Sequence, residues 1–240
     1  MTSMKSKLAI FDFDHTLKQP SDAHNKFGVA NLFPDQTIPE EILQVRVEKG
    51  WDYFLAFLLN KVNDLNKSKD EITASLDDQG YTINQMDEVM KYLASTHDII
   101  VISNAFVLHV KLFLEKQGLS DCVNKVYGRP GVIKDNGKFD ISEELSGSEW
   151  GRKCSDGPCR VFCKALAMKH FIGDKEYDDI KYFGDGKNDV CPALALKKGD
   201  SVFPRIGYEL NKILREDDNL AKVQAEIHPW NDGSDILKLI

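Results

Sequence analysis

Two carboxylates stand close together just after the first apolar run of the chain. Residues 8–11 (LAIF) have the length of a buried strand, and Asp12 and Asp14 follow with only Phe13 between them. Because alternate residues of a strand share a face, we expect both carboxylates to leave the carboxyl end of the strand in the same direction. Two negative charges in that position need a cation or a proton between them. The spacing therefore predicts a cation or proton site.

Three further segments are expected to bring polar side chains to the carboxyl ends of the buried strands. Ser103 follows the apolar stretch DIIVI, and Asp185 and Asp189 lie in GDGKND after the stretch IKYF. Lys164 lies in the helical pattern RVFCKALAM. Ligands of parallel sheets bind outside the carboxyl ends of the strands, so we expect these side chains to meet there.

Together these residues are the parts needed to move a phosphoryl group. Asp12 can act as the nucleophile that forms an acyl phosphate, and Asp14 can protonate the leaving alcohol and then take a proton from water. Mg2+ suits an oxygen-rich site that includes Asp12 and Asp185. Ser103 and Lys164 can hold the phosphate with a hydroxyl and a point charge. The pattern predicts phosphoryl transfer assisted by Mg2+.

Each segment alone has a simpler structural interpretation. A carboxylate pair after a strand is commonly a solvated loop, a serine at that position commonly caps the next helix, and GDGKND is commonly a turn. The order of the four segments along successive strands and helices is what favours a single active site.

Strands alternate with helices along most of the chain. The runs LAIFDF, DIIVISN, IKYFGDG and DSVFP are typical of strands, and FVLHVKLFLEKQG and RVFCKALAMKHF are typical of helices. This alternation predicts an α/β fold, a Rossmann-like doubly wound parallel sheet with helices on both faces.

The segment between the first two predicted strands is helical throughout. EEILQVRVEKGWDYFLAFLLNKVNDL has helical periodicity with a bend at Gly50, and a second helix opens at Ser68. We predict an α/β core at residues 1–26 and 82–240 and an all-helical cap at residues 27–81 that closes over the strand ends. Four aromatic residues of this cap either line its inner face or form its own core: Trp51, Tyr53, Phe54 and Phe57.

A β-hairpin is predicted further along. Alternating residues flank Asn136-Gly137 in GVIKDNGKFDI, and Asn-Gly favours the two-residue turn of a hairpin. We expect a projecting ribbon beside the core.

The net charge and the apolar runs of the chain limit the classes of molecule that it is expected to bind. The net charge of -7 and the absence of a basic stripe in 240 residues argue against binding to nucleic acid or to an anionic membrane. The one N-terminal apolar run is too short for a signal peptide, and no run is long enough to span a bilayer. We therefore expect a cytoplasmic protein that acts on a small phosphorylated metabolite.

The cysteines fit a reducing compartment. There are five, an odd number, and Cys154, Cys159 and Cys163 lie close in the sequence. Their irregular spacing, with no matching histidine pair nearby, favours free thiols over a zinc site.

The motifs together resemble a known superfamily. DFDHTL, ISN, Lys164 and GDGKND are similar to the four motifs of the haloacid dehalogenase-like (HAD) superfamily. The resemblance implies a phosphatase or phosphotransferase with an aspartyl-phosphate intermediate and a small helical cap. It also implies Mg2+ ligands at Asp12, the Asp14 main chain and Asp185, with Asp189 supporting the site.

Other segments resemble one family of that superfamily. GDGKNDVCPAL, VFPRIGYELNKIL, IHPWNDGSDI and CRVFCKAL are similar to the phosphoethanolamine/phosphocholine phosphatase family, which includes the pyridoxal-phosphate phosphatases. The family usually has Ser-Asp-Ala after the second buried strand, whereas this chain has Asn104 after Ser103. A neutral Asn104 attracts a cationic head group less strongly than a carboxylate does.

The expected function is Mg2+-dependent hydrolysis of a small phosphate ester: phosphoethanolamine, phosphocholine or pyridoxal 5′-phosphate. Ser103, Asn104 and Lys164 are the expected phosphate-binding residues. Thiamine monophosphate, phosphoserine or pyrophosphate are alternative substrates. A signalling module that holds a phosphoryl group without turnover is a further alternative, although such a module needs no acid at Asp14.

Overall fold

The computed structural model describes residues 6–19, 31–33, 37–77, 81–140, 151, 153–154, 159 and 161–240 of the chain. Ten strands are described in these ranges: β1 (Ser6–Phe11), β2 (Lys18–Gln19), β3 (Tyr81–Thr82), β4 (Asp98–Phe106), β5 (Lys125–Arg129), β6 (Val132–Ile133), β7 (Phe139–Asp140), β8 (Tyr177–Gly184), β9 (Ser201–Pro204) and β10 (Glu226–Ile227). Ten α-helices accompany them in the same ranges: α1 (Glu40–Lys49), α2 (Trp51–Asn63), α3 (Lys69–Asp77), α4 (Met86–Ala94), α5 (Val107–Lys116), α6 (Lys164–Ile172), α7 (Val190–Ala195), α8 (Glu209–Ile213), α9 (Asp217–Leu220) and α10 (Gly233–Leu237).

A six-stranded sheet in the order β10-β9-β8-β1-β4-β5 forms the centre of the fold. All neighbouring strands in it run parallel. Phe11 at the end of β1 pairs with Val101 of β4 on one side and with Phe183 of β8 on the other. This register brings the carboxyl ends of three central strands to one edge and confirms the predicted α/β, Rossmann-like parallel sheet.

Alternation along β1 divides the apolar core between the two faces of the sheet. Ala9 and Phe11 pack in a cluster with residues of α4, α5 and α10, which also includes the fully buried Trp230. Leu8 and Ile10 pack in a second cluster, on the opposite face, with residues of α6, α7 and α8. Because β1 is buried on both faces, it has the continuous apolar sequence of a parallel strand.

The insert between β2 and β3 contains α1, α2 and α3. Gly50 separates α1 from α2 with a φ of 84°, which confirms the predicted bend. The antiparallel pair β2–β3 adjoins the insert and joins Gln19 to Tyr81. The predicted all-helical cap at residues 27–81 is therefore wrong at Tyr81, which lies in β3. The division into core and cap stays a prediction.

The four aromatic residues of the insert differ in exposure. Phe54 is buried, Phe57 is half-buried and Tyr53 is 56% exposed. The side chain of Trp51 lies outside what the structure describes. Phe54 thus belongs to the interior, whereas Tyr53 faces solvent.

The predicted hairpin is present, but its loop has three residues, 135–137, and not the two that Asn-Gly favours. Strands β6 and β7 pair antiparallel, and the N–H of Lys134 donates to the carbonyl of Lys138 (2.9 Å) across the turn, where Gly137 has a φ of 78°. The hairpin packs on the insert in a small apolar cluster: Leu55, Leu59, Val62, Ile72, Phe106, Ile133 and Phe139.

Several elements were not predicted. The edge strand β5 has the sequence KVYGR, whose two apolar residues are too few to predict a strand. Strand β10 has only two residues. Helix α4 buries Met86, Val89, Met90 and Leu93 at helical spacing, so its sequence does carry a helical signal. Within the described residues, none of the helices has both the length and the apolar character needed to cross a membrane.

Candidate active site

Asp12 is the first residue beyond β1. Its N–H donates to the carbonyl of Phe183 (2.9 Å), and its Oδ1 accepts the N–H of Phe13 (2.7 Å). The expectation that strand alternation orients Asp12 and Asp14 is wrong, because β1 ends at Phe11 and a loop begins at Asp12. Asp12 is nevertheless held at the sheet edge, its backbone by the bond to Phe183 and its carboxylate by the bond from Phe13.

A tight loop carries Asp14. The N–H groups of Leu17 and Lys18 donate to the carbonyl of Phe13 (2.8 and 3.0 Å), and His15 adopts a left-handed conformation with a φ of 59°. These bonds fold residues 12–18 back over the strand end. Asp14 is half-buried within this loop, two residues after Asp12.

Lys164 links two of the carboxylates. It is the first residue of α6 and is fully buried, and its Nζ lies 2.6 Å from Oδ1 of Asp12 and 2.7 Å from Oδ1 of Asp189. Burial alone would lower the pKa of Lys164, but the Asp12 and Asp189 carboxylates outweigh it and raise the pKa above its usual value. The lysine is therefore a fixed positive charge at this site.

Asp189 is the most heavily hydrogen-bonded member of the cluster. Its Oδ2 accepts the N–H groups of Asp185 (3.1 Å) and Gly186 (2.9 Å), and its Oδ1 accepts the hydroxyl of Tyr182 (2.5 Å) as well as Lys164. A Cβ at Gly184 would lie 2.7 Å from Cγ of Asp189, so only glycine leaves room for this carboxylate. The GDG sequence thus shapes the pocket that receives Asp189.

Three carboxylates share one buried position. Oxygen atoms of Asp12, Asp185 and Asp189 lie within 4.8 Å of one another. Burial, together with Asp189, raises the pKa of Asp12 to about 7 despite Lys164. Burial, together with Asp12 and Asp189, raises the pKa of Asp185 to about 9. One lysine does not balance three carboxylates, and this oxygen-rich, negatively charged donor set fits a hard divalent cation.

Ser103 and Asn104 lie at the same edge, in β4. Ser103 is buried, and its Oγ accepts the N–H of Ala105 (3.0 Å). The carbonyl of Asn104 accepts Nε of Arg129 (3.1 Å). Among the described residues no group hydrogen-bonds the buried Oδ1 of Asn104. The structure thus joins Asp12, Lys164, Asp185 and Asp189 directly and places Ser103, Asn104 and Asp14 around the same strand ends.

Two residues that hold the site together were missed from the sequence. The buried hydroxyl of Tyr182 bonds Asp189, and burial and that carboxylate raise the pKa of Tyr182 well above its usual value. Arg205 donates to the carbonyl of His15 (2.7 Å) and to Oε1 of Gln19 (3.2 Å), and so braces the loop that carries Asp14. Tyr182 lies in a predicted strand and Arg205 in a segment that resembles the family, and the sequence pattern gives neither residue a role at the site.

Comparison with known proteins decides the family. A family model described as "Putative Phosphatase" matches residues 7–240, nearly the whole chain. The chain belongs to this family. The protein is a phosphatase, and therefore a hydrolase.

Individual relatives cover almost the full length of this phosphatase. The pyridoxal phosphate phosphatase PHOSPHO2 of Bos taurus is 27% identical over 97% of this chain and 96% of its own. A thiamine phosphate phosphatase-like protein of Arabidopsis thaliana is 26% identical over 99% of this chain and 95% of its own. The phosphoethanolamine/phosphocholine phosphatase of Gallus gallus is 24% identical over 97% of this chain and 87% of its own.

The fold is shared with solved HAD structures. A phosphoserine phosphatase crystallised in its apo form aligns with a TM-score of 0.55 and 19% identity over 98% of this chain and all of its own. At that identity the likeness shows the fold alone, and it agrees with the parallel sheet described above.

Proposed function

We propose that this phosphatase hydrolyses a small phosphate monoester through a phosphoryl group carried transiently on Asp12, with Mg2+ as its metal ion. The observation that carries the proposal is the buried contact of Asp12 with Lys164 at the edge where Asp185 and Asp189 also lie. This set contains a nucleophile, a fixed positive charge and the donors of a cation site.

Asp12 is the proposed nucleophile. Lys164 and the N–H of Phe13 both bond Oδ1, and we assign the attack on phosphorus to Oδ2. The P–O bond to the ester oxygen breaks as the bond to Oδ2 forms, giving an acyl phosphate. Water then attacks this phosphorus, releases inorganic phosphate and restores the carboxylate.

Asp14 is the proposed acid and base. In the first step its proton passes to the leaving alcohol oxygen, and in the second step it accepts a proton from the attacking water. The loop bonds at Phe13 and the bond from Arg205 to the carbonyl of His15 hold the backbone on both sides of Asp14, which supports this role.

Asp12, Asp185 and the main chain of Asp14 would hold Mg2+, which when bound would neutralise charge on the phosphoryl oxygens. We assign Asp189 the role of supporting these ligands and not of binding Mg2+ itself. Its two carboxylate oxygens already accept hydrogen bonds from Lys164, Tyr182 and two backbone N–H groups. This division agrees with the supporting role expected from the family resemblance.

Ser103, Asn104 and Lys164 are the proposed phosphate-binding residues. Ser103 and Asn104 lie at the end of the strand next to β1, and Lys164 already lies 2.6 Å from the nucleophile. The amide of Asn104 brings hydrogen-bonding capacity without charge at a position where the family usually has aspartate.

The relatives support pyridoxal 5′-phosphate, phosphoethanolamine or phosphocholine as the substrate. The neutral Asn104 weakens attraction for the cationic esters, which favours pyridoxal 5′-phosphate among the three. The name of the Arabidopsis thaliana relative supports thiamine monophosphate as the alternative substrate.

The proposal is tested by phosphate release from a panel of small esters, with Mg2+ and with EDTA. The panel contains pyridoxal 5′-phosphate, phosphoethanolamine, phosphocholine, thiamine monophosphate, phosphoserine and pyrophosphate. We expect release that requires Mg2+ and that Asp12→Asn abolishes while the variant keeps its circular dichroism spectrum. Release in EDTA at the rate seen with Mg2+, or near-normal turnover by Asp12→Asn, would contradict the proposal.

A further inference from the structure

Four cysteines meet at the amino end of α6. Cys154, Cys159 and Cys163 precede this helix, and Cys191 reaches them from α7. Their four Sγ atoms all lie within 4.8 Å of one another. The sequence spacing of Cys154, Cys159 and Cys163 favours free thiols. The fourth sulfur, that of Cys191, comes from a distant segment, so the sequence alone does not place it beside the other three.

The distances between the sulfurs match a metal tetrahedron better than a covalent bond. Sγ of Cys191 lies 3.7 Å from that of Cys154 and 3.6 Å from that of Cys159. Zinc–sulfur bonds are about 2.3 Å long, so the sulfurs of a tetrahedral Zn2+ site lie about 3.8 Å apart. A disulfide would require about 2.05 Å. The described cysteines are all free thiols.

We propose that Cys154, Cys159, Cys163 and Cys191 bind one Zn2+ ion as a structural site with four thiolate ligands. Each thiol loses its proton to solvent on binding, and no electron is transferred. Four sulfurs within 4.8 Å enclose room for a single ion, and soft thiolates in a tetrahedron select zinc among the common divalent metals.

The surroundings of the site suit an ion that enters from solvent. Cys163 is buried, whereas Cys154, Cys159 and Cys191 are half-buried and accessible to solvent. Four thiolates around Zn2+ carry net negative charge, and the exposed cation Lys153 directly precedes Cys154 in the sequence. None of the four sulfurs belongs to the carboxylate cluster, so this inference does not rest on the proposed function.

The zinc would join the two segments that place the charges of the active site. Cys163 directly precedes Lys164, and Cys191 follows Asp189 by two residues. Lys164 and Asp189 are bonded to each other at 2.7 Å. A zinc ion bound by the four sulfurs would hold Lys164 and Asp189 in their relative positions. It would not contact the substrate, so its role would be structural and positioning.

Metal content of the full-length protein tests the proposal. The protein is purified in Mg2+ buffer without added zinc or chelator, and its metals are quantified by mass spectrometry. We expect about one zinc per chain, and we expect Cys191→Ser and Cys159→Ser to lose most of it. Cys122→Ser is the matched control, because Cys122 is a free thiol outside the cluster, and this variant keeps its zinc.

Cobalt titration of the wild-type chain keeps the test decisive if the serine variants fail to fold. After zinc is removed and Mg2+ restored, Co2+ should give the intense visible absorption of a tetrahedral thiolate site. Zinc well below one per chain together with no cobalt absorption would overturn the proposal. Bound iron in place of zinc, a disulfide between two of the four cysteines in fresh protein, or full zinc in folded Cys191→Ser would each also overturn it.

Discussion

At the scale of single residues, the active site has to stabilise carboxylates that are buried close together. Asp12, Asp185 and Asp189 are nearly or fully buried, and Lys164 places a positive side chain in direct contact with Asp12 and Asp189. The structure relieves part of this cost by giving Asp189 two backbone N–H donors and the hydroxyl of Tyr182. What remains is an excess of negative charge at Asp12 and Asp185, where we propose that the metal binds.

Replacement of Lys164 tests the balance of these charges. Lys164→Met keeps much of the side-chain volume but leaves the buried Asp12 without its cation, so we expect kcat/KM to fall about 100-fold or more. Steady-state kinetics on the preferred ester measures this loss. Lys169→Met is the matched control, because Lys169 lies on the same helix but is exposed. A value of kcat/KM within twofold of wild type for Lys164→Met would remove this lysine from the site.

The raised pKa values predict how stability depends on pH and on Mg2+. The pKa of Asp12 is raised from 3.8 to about 7, so the folded state binds this proton more tightly than the unfolded state does. The contribution of Asp12 to the free energy of unfolding is therefore greatest below about pH 4 and is lost as the pH rises to about 7. Mg2+ competes with that proton, so we expect it to raise the melting temperature more at about pH 8 than at about pH 5.

Thermal unfolding in EDTA and in Mg2+ at both pH values checks this expectation. The Asp12→Asn variant is the control, since it carries no titrating group at this position and should show a smaller difference between the two pH values. Equal stabilisation by Mg2+ at both pH values in the wild-type protein would contradict the assignment of the metal to these carboxylates.

At the scale of elements, the hairpin and the insert support each other. The side chain of Asn63, the last residue of α2, donates to the carbonyl of Phe139 (2.9 Å) and accepts the N–H of the same residue (2.7 Å). The side chain of Asn63 thereby makes the kind of backbone hydrogen bonds that a neighbouring strand would make with β7. The turn fits closely as well, because a Cβ at Gly137 would lie 1.8 Å from the carbonyl oxygen of Lys67.

Truncation of Asn63 should loosen this junction. Asn63→Ala removes both side-chain bonds to the backbone of Phe139, so we expect a loss of about 1–3 kcal/mol in the free energy of unfolding. Urea denaturation measures it. Asn60→Ala, an exposed position on the same helix, is expected to change stability by less than about 0.5 kcal/mol. Equal effects of the two substitutions would show that the Asn63 bonds do not stabilise the hairpin against the insert.

At the scale of the whole molecule, the parts that could be predicted are those with local signals. Apolar runs that end in carboxylates predicted β1 and β8, and the carboxyl ends of parallel strands necessarily meet at one edge. The predicted contact set of Asp12, Lys164, Asp185 and Asp189 follows from that rule, and the structure brings these four together. Their roles in catalysis stay predictions.

The parts that could not be predicted depend on contacts between distant segments. Arg205 bonds the carbonyl of His15 across almost the full length of the chain, and no periodic pattern encodes such a bond. Cys191 joins the other cysteines only because α6 and α7 pack on the same face of the sheet. Short edge strands such as β5 and β10 owe their structure to the neighbouring strand, so their own sequences predict little.

The central claim is that Asp12 carries the phosphoryl group, and one measurement tests it most directly. The enzyme is mixed with its preferred ester and Mg2+, quenched in acid during turnover, digested, and examined by mass spectrometry. We predict one phosphoryl group on the peptide that contains Asp12, and none on that peptide from Asp12→Asn. A phosphoryl group on a different residue, or rapid phosphate release with no phosphorylated peptide at any quench time, would contradict the account.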